Sequence, residues 1–389
     1  MTAATSPLNE RWATHLEGSR NGERVPLDEA AFMTPESGPH LVRYDLDEDK
    51  GAALRGVLPG RPWSMWRYRE LLPVAAGPRE RLDLGEGGTP LVRLGRAAPS
   101  GVEVWFKEES GNPTGSFKAR GLSVAINRAV ELGAPGVELP SAGNAAMASA
   151  AYAAAAGLPC TVAIPEDTPA TIGERCRLLG AEVISGGRNL AESGAILAER
   201  KSGFWNIATL NEPYRLEGKK SMGFELAEQF DGRLPDWIFY PTGGGTGLIA
   251  MAKAFDELEA LGLLGRRRPR LVSVQMAGCA PIVRAFERGD DKAEPWRDPR
   301  TRAWGLRVPS ARGDFLILRA VRASGGLAVA VEEEALAGAV ERLAREEGQW
   351  VGPEGAACFL ALEKLVEEKT VAAGERVVLF QTGHPASYL

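Results

Sequence analysis

Cysteine is scarce. The four present, Cys160, Cys176, Cys279 and Cys358, are scattered and form no C-x-x-C pair. That spacing supports neither a zinc site nor a disulfide framework, and it fits a reducing compartment. Excess positive charge is missing too. The 46 Lys and Arg against 51 Asp and Glu leave a net charge of −5. No basic stripe with interleaved aromatics is present, which argues against a nucleic-acid partner. The short run Arg266-Arg-Arg-Pro-Arg270 reads as a solvated helix–strand connection. Residues 145–156 are apolar but too short to cross a bilayer, and Gly157-Leu-Pro159 ends them, so no membrane partner is expected. The N-terminus, Met-Thr-Ala-Ala-Thr-Ser-Pro, lacks the basic-then-apolar order of a secretory signal. No internal repeat is visible. These absences describe a cytoplasmic globular protein. Its 389 residues exceed what one core usually serves, which predicts two domains.

Residues 1–75 are mixed, polar and rich in Pro and Gly, with one short strand expected at Leu41-Val-Arg-Tyr-Asp-Leu46. They read as an N-terminal extension packed on the main body. The remainder, residues 76–389, carries the chemistry, with a smaller α/β domain nested at about 120–230. From Leu84 onward the pattern alternates. Strands are expected at 102–106, 137–139, 161–164, 182–184, 204–207, 237–240, 271–275 and 377–380. Helices are expected at 119–132, 145–156, 171–179, 190–201, 216–229, 248–261, 332–347 and 356–367. Such alternation predicts an α/β fold of parallel sheets covered by helices on both faces. Ligands in such sheets bind outside the carboxyl ends of the strands, where the motifs fall.

Lys118 follows a turn built from Gly111, Pro113 and Gly115, with Ser116 as the expected N-cap, so it lies in the first turn of a helix. Helix starts disfavour cations. Lys118 is therefore either a solvated surface lysine or a lysine whose charge is consumed, for instance in an imine with an anionic cofactor. Ser141, Ala142, Gly143 and Asn144 end one strand and open the alanine-rich helix. They are a plain N-cap, or a loop whose N–H groups hold a carboxylate while Asn144 bonds a phenolic oxygen. Thr242-Gly-Gly-Gly-Thr-Gly247 lies between an apolar strand and a helix. A plain turn does not need four glycines in five residues, whereas a nest of N–H donors for a phosphate does. It is not a P-loop, because no Gly-Lys-Ser/Thr follows. The loose dinucleotide pattern fails at Gln275, where an acidic residue would hold a ribose. Thr382 ends the last strand, either as a simple terminus or with its hydroxyl facing a ring nitrogen. Amine, phosphate cup, carboxylate loop and hydroxyl together are the set a pyridoxal phosphate site needs.

In these motifs the chain resembles the tryptophan-synthase-β-like (fold type II) pyridoxal-phosphate enzymes, and within them the threonine-synthase branch. The resemblance rests on Gly85-Glu-Gly-Gly-Thr-Pro90, Asn112-Pro-Thr-Gly-Ser-Phe-Lys-Ala-Arg-Gly121, Ser141-Ala-Gly-Asn144, Pro213-Tyr-Arg-Leu-Glu-Gly-Lys219, the glycine run at 243–247 and Thr382-Gly-His384. They occur in the family's order over about residues 80 to 389. The resemblance implies two three-layer parallel-sheet domains and pyridoxal 5'-phosphate held as an imine by Lys118. It places Phe117, Asn144, Gly243, Gly244, Gly245, Thr246, Gly247 and Thr382 around that cofactor. An amino-acid substrate would lie on Ser141, Ala142, Gly143 and Ala145, with its phosphate at Asn211, Arg215 and Lys219. For Arg215 and Lys219 the bland alternative is an exposed pair one helical turn apart. The implied reaction turns O-phospho-L-homoserine and water into L-threonine and phosphate, in a homodimer.

Three departures qualify that expectation. Ala145-Ala146 follow Asn144 where many of the branch carry Thr-Ser, which removes a hydroxyl near the reacting carbons. That keeps open a related β-elimination or β-replacement on another amino acid, such as a threonine, serine or diaminopropionate ammonia-lyase. An extra residue makes the phosphate stretch Asn211-Glu-Pro-Tyr-Arg215. Finally, residues 15–45 resemble the family's zinc-ribbon extension in Val25-Pro-Leu-Asp28 and Leu41-Val-Arg-Tyr-Asp45, but lack cysteine pairs near 17–21 and 34–37. The extension is expected to bind no metal. A non-catalytic relative remains a third reading, and an intact Lys118 and glycine run argue against it.

Overall fold

The computed structural model describes residues 11–75 and 82–388. The stretch 1–7, and the domain boundary placed at residue 76, lie outside the described residues.

The chain begins with a small antiparallel sheet of β1 (Ala13–Gly18), β2 (Arg24–Pro26) and β3 (His40–Tyr44), in the order β2-β1-β3. Only β3 was legible, because β1 and β2 carry little apolar alternation beyond Leu16. The turns where a zinc ribbon would place its cysteines still meet. Arg20 N donates to Ser37 O at 3.0 Å, Gly38 N to Thr34 O at 2.9 Å, and the Thr34 and Ser37 hydroxyls lie 3.1 Å apart. Hydrogen bonds among hydroxyls and amides close this corner. Leu16, Val42, Met65 and Trp66 then pack with Val124, Ala125 and Tyr214, which joins the extension to two helices of the main body.

Next, β4 (Leu91–Arg93) pairs antiparallel with β5 (Glu103–Glu108). The chain then leaves to build a four-stranded parallel sheet from β6 (Val137–Pro140), β7 (Cys160–Ile164), β8 (Glu182–Ser185) and β9 (Trp205–Asn206), ordered β8-β7-β6-β9. It returns as β10 (Trp237–Pro241), β11 (Arg270–Met276), β12 (Leu327–Val331) and β13 (Arg376–Gln381). These complete a six-stranded sheet, β12-β11-β10-β13-β5-β4, parallel except at β4. Both faces are covered. Ile238, Tyr240, Val378 and Phe380 enter one apolar core, and Trp237, Phe239, Val377 and Leu379 enter the other. This is the period-two division of side chains that a doubly covered sheet requires.

Each strand and helix expected from the alternation is present, with ends shifted by less than a turn. Strand β12, Leu-Ala-Val-Ala-Val, escaped because its alanines give little contrast. Helices Glu48–Val57, Pro281–Arg288 and Asp314–Ala323 also escaped, being short or embedded in polar sequence. The helices Lys118–Glu131 and Tyr214–Gln229 cross in backbone contact. A Cβ on Gly218 would lie 1.9 Å from Arg120 O, and one on Gly121 would lie 2.5 Å from Arg215 O. Only glycine permits so close an approach.

Candidate active site

Lys118 is positioned from two directions. Strand β5 runs into two 3-10 turns, Glu109–Gly111 and Pro113–Gly115, the second bent by Thr114 at φ 61°. The segment after them is zipped to the end of β13. Phe117 N donates to Thr382 O at 3.1 Å, and His384 N to Gly115 O at 2.7 Å. The expected N-cap is displaced by one residue. Phe117 already has helical angles and takes the cap position, leaving the Ser116 hydroxyl only a 3.4 Å contact with Lys118 N. Behind the helix start lies a fully buried ionic cluster. Arg120 grips Glu109 (Nε–Oε2 2.6 Å) and Glu225 (Nη1–Oε1 2.6 Å), and Lys107 Nζ reaches Glu225 Oε2 at 2.7 Å. Bidentate, doubly satisfied pairing of this kind fixes orientation more than it adds stability. It locks β5 and both helices into one register.

The Lys118 ammonium sits 3.8 Å from the Phe117 ring centroid and has no hydrogen bond or ion pair among the described residues. Part of its surface stays open, yet enough protein surrounds it that desolvation, with the Arg215 charge second, lowers its pKa to about 7; Glu354 opposes the shift. At neutral pH a large fraction is therefore free amine, the form that condenses with an aldehyde or accepts a proton.

The glycine run forms a cup between β10 and the helix Thr246–Ala260. Gly245 has φ 66°. A Cβ on Gly243 would lie 2.3 Å from Gly305 O, and one on Gly247 2.0 Å from Tyr240 Oη. Gly244 is the exception: its Cβ would meet only Thr209 Cγ2, at 3.4 Å. The N–H groups of Gly243, Gly244, Gly245, Thr246 and Gly247 find no acceptor among the described residues. A concave row of free donors at a helix start is an anion site.

Asn144 and Thr382 come together, as the motifs required. A Cβ on Gly383 would lie 3.0 Å from Asn144 Nδ2, so the Asn144 amide rests on the residue after Thr382. Asn144 Oδ1 is buried without a partner, and the Thr382 hydroxyl makes no hydrogen bond among the described residues. Beside them Ser141 N donates to Ala163 O at 2.9 Å, which pins the loop of Ser141, Ala142 and Gly143 to β7. The N–H groups of Gly143, Asn144 and Ala145 at the following helix start have no acceptor among the described residues.

Arg215 and Lys219 are not an exposed pair. Their accessibilities are 2% and 0%. Arg215 Nη1 donates to Ile207 O at 2.7 Å, while its Nε and Nη2 are buried and unpartnered. Lys219 Nζ donates to Thr246 Oγ1 at 2.8 Å, at the rim of the glycine cup. Asn211 is less free. Its amide spans Asn206 O (2.7 Å) and Arg312 Nη1 (3.2 Å), while its carbonyl receives Met33 N (2.7 Å) from the N-terminal extension.

Several residues of this pocket were not read from the sequence. Glu212, the extra residue, caps the helix Tyr214–Gln229 by accepting from Tyr214 N (2.6 Å) and Arg215 N. Burial raises its pKa to about 7 against the pull of Arg215. Glu354 receives Gly305 N at 2.8 Å and so braces the loop against Gly243; its carboxyl is raised by burial. Acid followed by Pro before a helix was the available signal for Glu212. Glu354, in the first turn after Pro353, looked like an ordinary helix start. Thr209 and Arg312 carried no local signal at all.

A pyridoxal phosphate group fits what is present: a free amine of lowered basicity, an anion cup kept open by glycines, and an orphaned buried amide oxygen. A model of the family described as pyridoxal-phosphate dependent enzyme matches residues 82–383. The threonine synthase of Methanosarcina acetivorans is 38% identical over 382 residues, covering 95% of this chain and 91% of that protein. That of Methanocaldococcus jannaschii is 34% identical over 369 residues, covering 93% and 90%. Among solved structures, maize serine racemase superposes with a TM-score of 0.67 at 22% identity, over 89% of this chain and 94% of that one, a likeness of fold alone. With its lysine, its glycine cup and a match spanning both parallel sheets, the chain belongs to the pyridoxal-phosphate-dependent enzyme family.

Proposed function

We infer that this protein converts O-phospho-L-homoserine and water into L-threonine and phosphate. The observation that carries the choice of substrate is Arg215. A buried guanidinium with two unpartnered nitrogens calls for an anionic substrate group, and phosphate matches its planar fork. Threonine and serine offer no such group on their side chains. Relatives named threonine synthase over most of their length support the same reading.

Gly243, Gly244, Gly245, Thr246 and Gly247 would hold the cofactor's phosphate, Lys118 its aldehyde carbon, Asn144 its phenolic oxygen and Thr382 its ring nitrogen, with Phe117 walling the pocket. Bound pyridoxal phosphate supplies the electron sink that makes the substrate's α-proton removable. Lys118, half-deprotonated near pH 7, removes that proton and returns protons at the neighbouring carbon. The free N–H groups of Gly143, Asn144 and Ala145, with Ser141 and Ala142 in the same loop, orient the substrate's carboxylate. Arg215 holds its phosphate, and Asn211, itself held by Arg312, shapes that end of the pocket. Thr382 offers a hydroxyl, which does not force the ring nitrogen to stay protonated.

We also read residues 1–75 as an extension, 76–389 as the catalytic region with a smaller domain nested at about 120–230, and the assembly as a cytoplasmic homodimer. The separate four-stranded sheet supports the nesting. The resemblance to the family supports the dimer and the compartment, and sedimentation at twice the chain mass tests the dimer.

The deciding experiment is a substrate panel with the purified full chain. O-phospho-L-homoserine should yield threonine and inorganic phosphate in equal amounts. Ketoacid and ammonia from threonine or serine, with no turnover of the phosphorylated substrate, would replace this reading by an ammonia-lyase, which Ala145-Ala146 would then explain.

A further inference from the structure

Lys219 lies in the segment whose resemblance placed it at the substrate's phosphate. Its surroundings point elsewhere. The side chain is fully buried, and its one hydrogen bond runs to Thr246, the first residue of the helix after the glycine cup. An ammonium has three donors, so two remain. No carboxylate lies within ion-pair distance of Lys219 among the described residues, although Lys107 and Lys220, equally deep in the molecule, are each paired with one. A buried cation without a counter-ion is costly, and proteins either neutralise such a group or give it an anion. Burial, Arg215 and Lys118 depress its basicity and the Glu212 carboxyl only partly opposes them, in keeping with an amine that waits for an anion. The direction of the side chain is fixed. Its Cε passes 3.1 Å from where a Cβ of Gly121 would be, and its Nζ lies 5.7 Å from the centroid of the Phe117 ring that also meets Lys118.

We propose that Lys219 is a cation of the phosphate cup at residues 243–247, leaving Arg215 to the substrate's anion. This rests on the reading that the cup holds the cofactor's phosphate. The helix start and backbone N–H groups of such a cup provide only partial charges. Lys219 adds a full one, delivered beside Thr246 from a neighbouring helix, so this chain's cup matches a dianion better than backbone alone. Lys219 is a binding residue for the cofactor, and Thr246 is the hydroxyl that aims it.

The test compares pyridoxal 5'-phosphate with pyridoxal, which lacks the phosphate, on the cofactor-stripped full chain by equilibrium dialysis and absorbance. Wild type should bind the phosphorylated form far more tightly. Lys219→Gln, which keeps a donor for Thr246, and Lys219→Met should both weaken pyridoxal 5'-phosphate by roughly 10- to 100-fold, the worth of one charge-assisted contact. Their pyridoxal affinity should stay unchanged, which also reports an intact fold. Arg215→Met should keep the cofactor preference and instead lose affinity for a phosphonate analogue of the substrate. If Lys219→Gln holds pyridoxal 5'-phosphate as wild type does while losing the phosphonate analogue, Lys219 belongs to the substrate and the proposal is overturned. A wild type that fails to distinguish the two vitamers would instead overturn the cup reading itself.

Discussion

The backbone N–H of Phe117 and the carbonyl of Thr382 meet at 3.1 Å, so the residue before Lys118 is bolted to the end of the last strand. Their separation is set by main chain rather than by rotamers. What remains adjustable at the site is charge, and the first expectations concern it.

Lys118 should react as an unusually acidic ammonium. In the cofactor-stripped protein, acylation of Lys118 should rise with pH to half its maximum near 7, far below an ordinary lysine at 10.5. Arg215→Met removes a repelling charge and should move that midpoint up. Glu354→Gln removes an attracting one and should move it down. Mass-spectrometric labelling across pH reads all three, and a wild-type midpoint near 10 would contradict the buried geometry.

Glu212 should make the stripped protein lose stability as pH rises. Its carboxyl is shifted up from 4.5 to about 7 by burial. Between those values the folded state binds more protons than the unfolded one, so stability is full below about 4.5 and falls until about 7. The shift corresponds to about 3 kcal/mol. Denaturant unfolding of wild type and Glu212→Gln at several pH values should show this slope in the first and its absence in the second.

Two glycines of the cup should part company. Gly247→Ala drives a methyl into Tyr240 Oη and should cost on the order of 3 kcal/mol, seen as a large fall in Tm. Gly244→Ala meets only Thr209 at ordinary distance. It should fold within about 1 kcal/mol of wild type. Added among the free N–H donors of the cup, its methyl should weaken cofactor binding at least about tenfold. Thermal melts beside cofactor titrations separate the two outcomes.

Glu225→Gln should be severe although it touches no ligand. It strips Arg120 and Lys107 of their shared carboxylate in a fully buried cluster. Removing one partner of such a cluster costs about 3–5 kcal/mol. Denaturant unfolding reads the loss, and a value below about 1 kcal/mol would mean that the cluster relaxes around the change.

The motifs of the candidate site were readable because each combines glycines or a cap with a strand end, patterns that backbone geometry imposes on neighbouring residues. Lys118, Asn144, the cup and Thr382 were named that way and lie together. The surroundings were not readable, since they come from sequence-distant residues with no local pattern. Glu354 meets the cup through Gly305, and Arg312 meets Asn211 from another loop. Burial was the other blind spot. Arg215 and Lys219 carry helical spacing that suits a wet surface, and only the close crossing at Gly121 and Gly218 puts them inside. In the N-terminal sheet, β1 and β2 escaped because they carry too little apolar alternation for a period of two to register.

Strand β13 occupies the middle of the six-stranded sheet, with β10 on one side and β5 on the other, and its Arg376 side chain bonds to Glu103 across 273 positions of sequence. A nascent chain can assemble β6 to β9 as soon as they leave the ribosome, because their partners are near in sequence. Strands β5 and β10 have nothing between them until β13 is made. Maturation of this protein is therefore expected to be gated by its final strand, with slow closure over a long loop and a window in which two unpaired inner edges invite chaperones. The same strand delivers Thr382, so the pocket is completed in the step that closes the sheet.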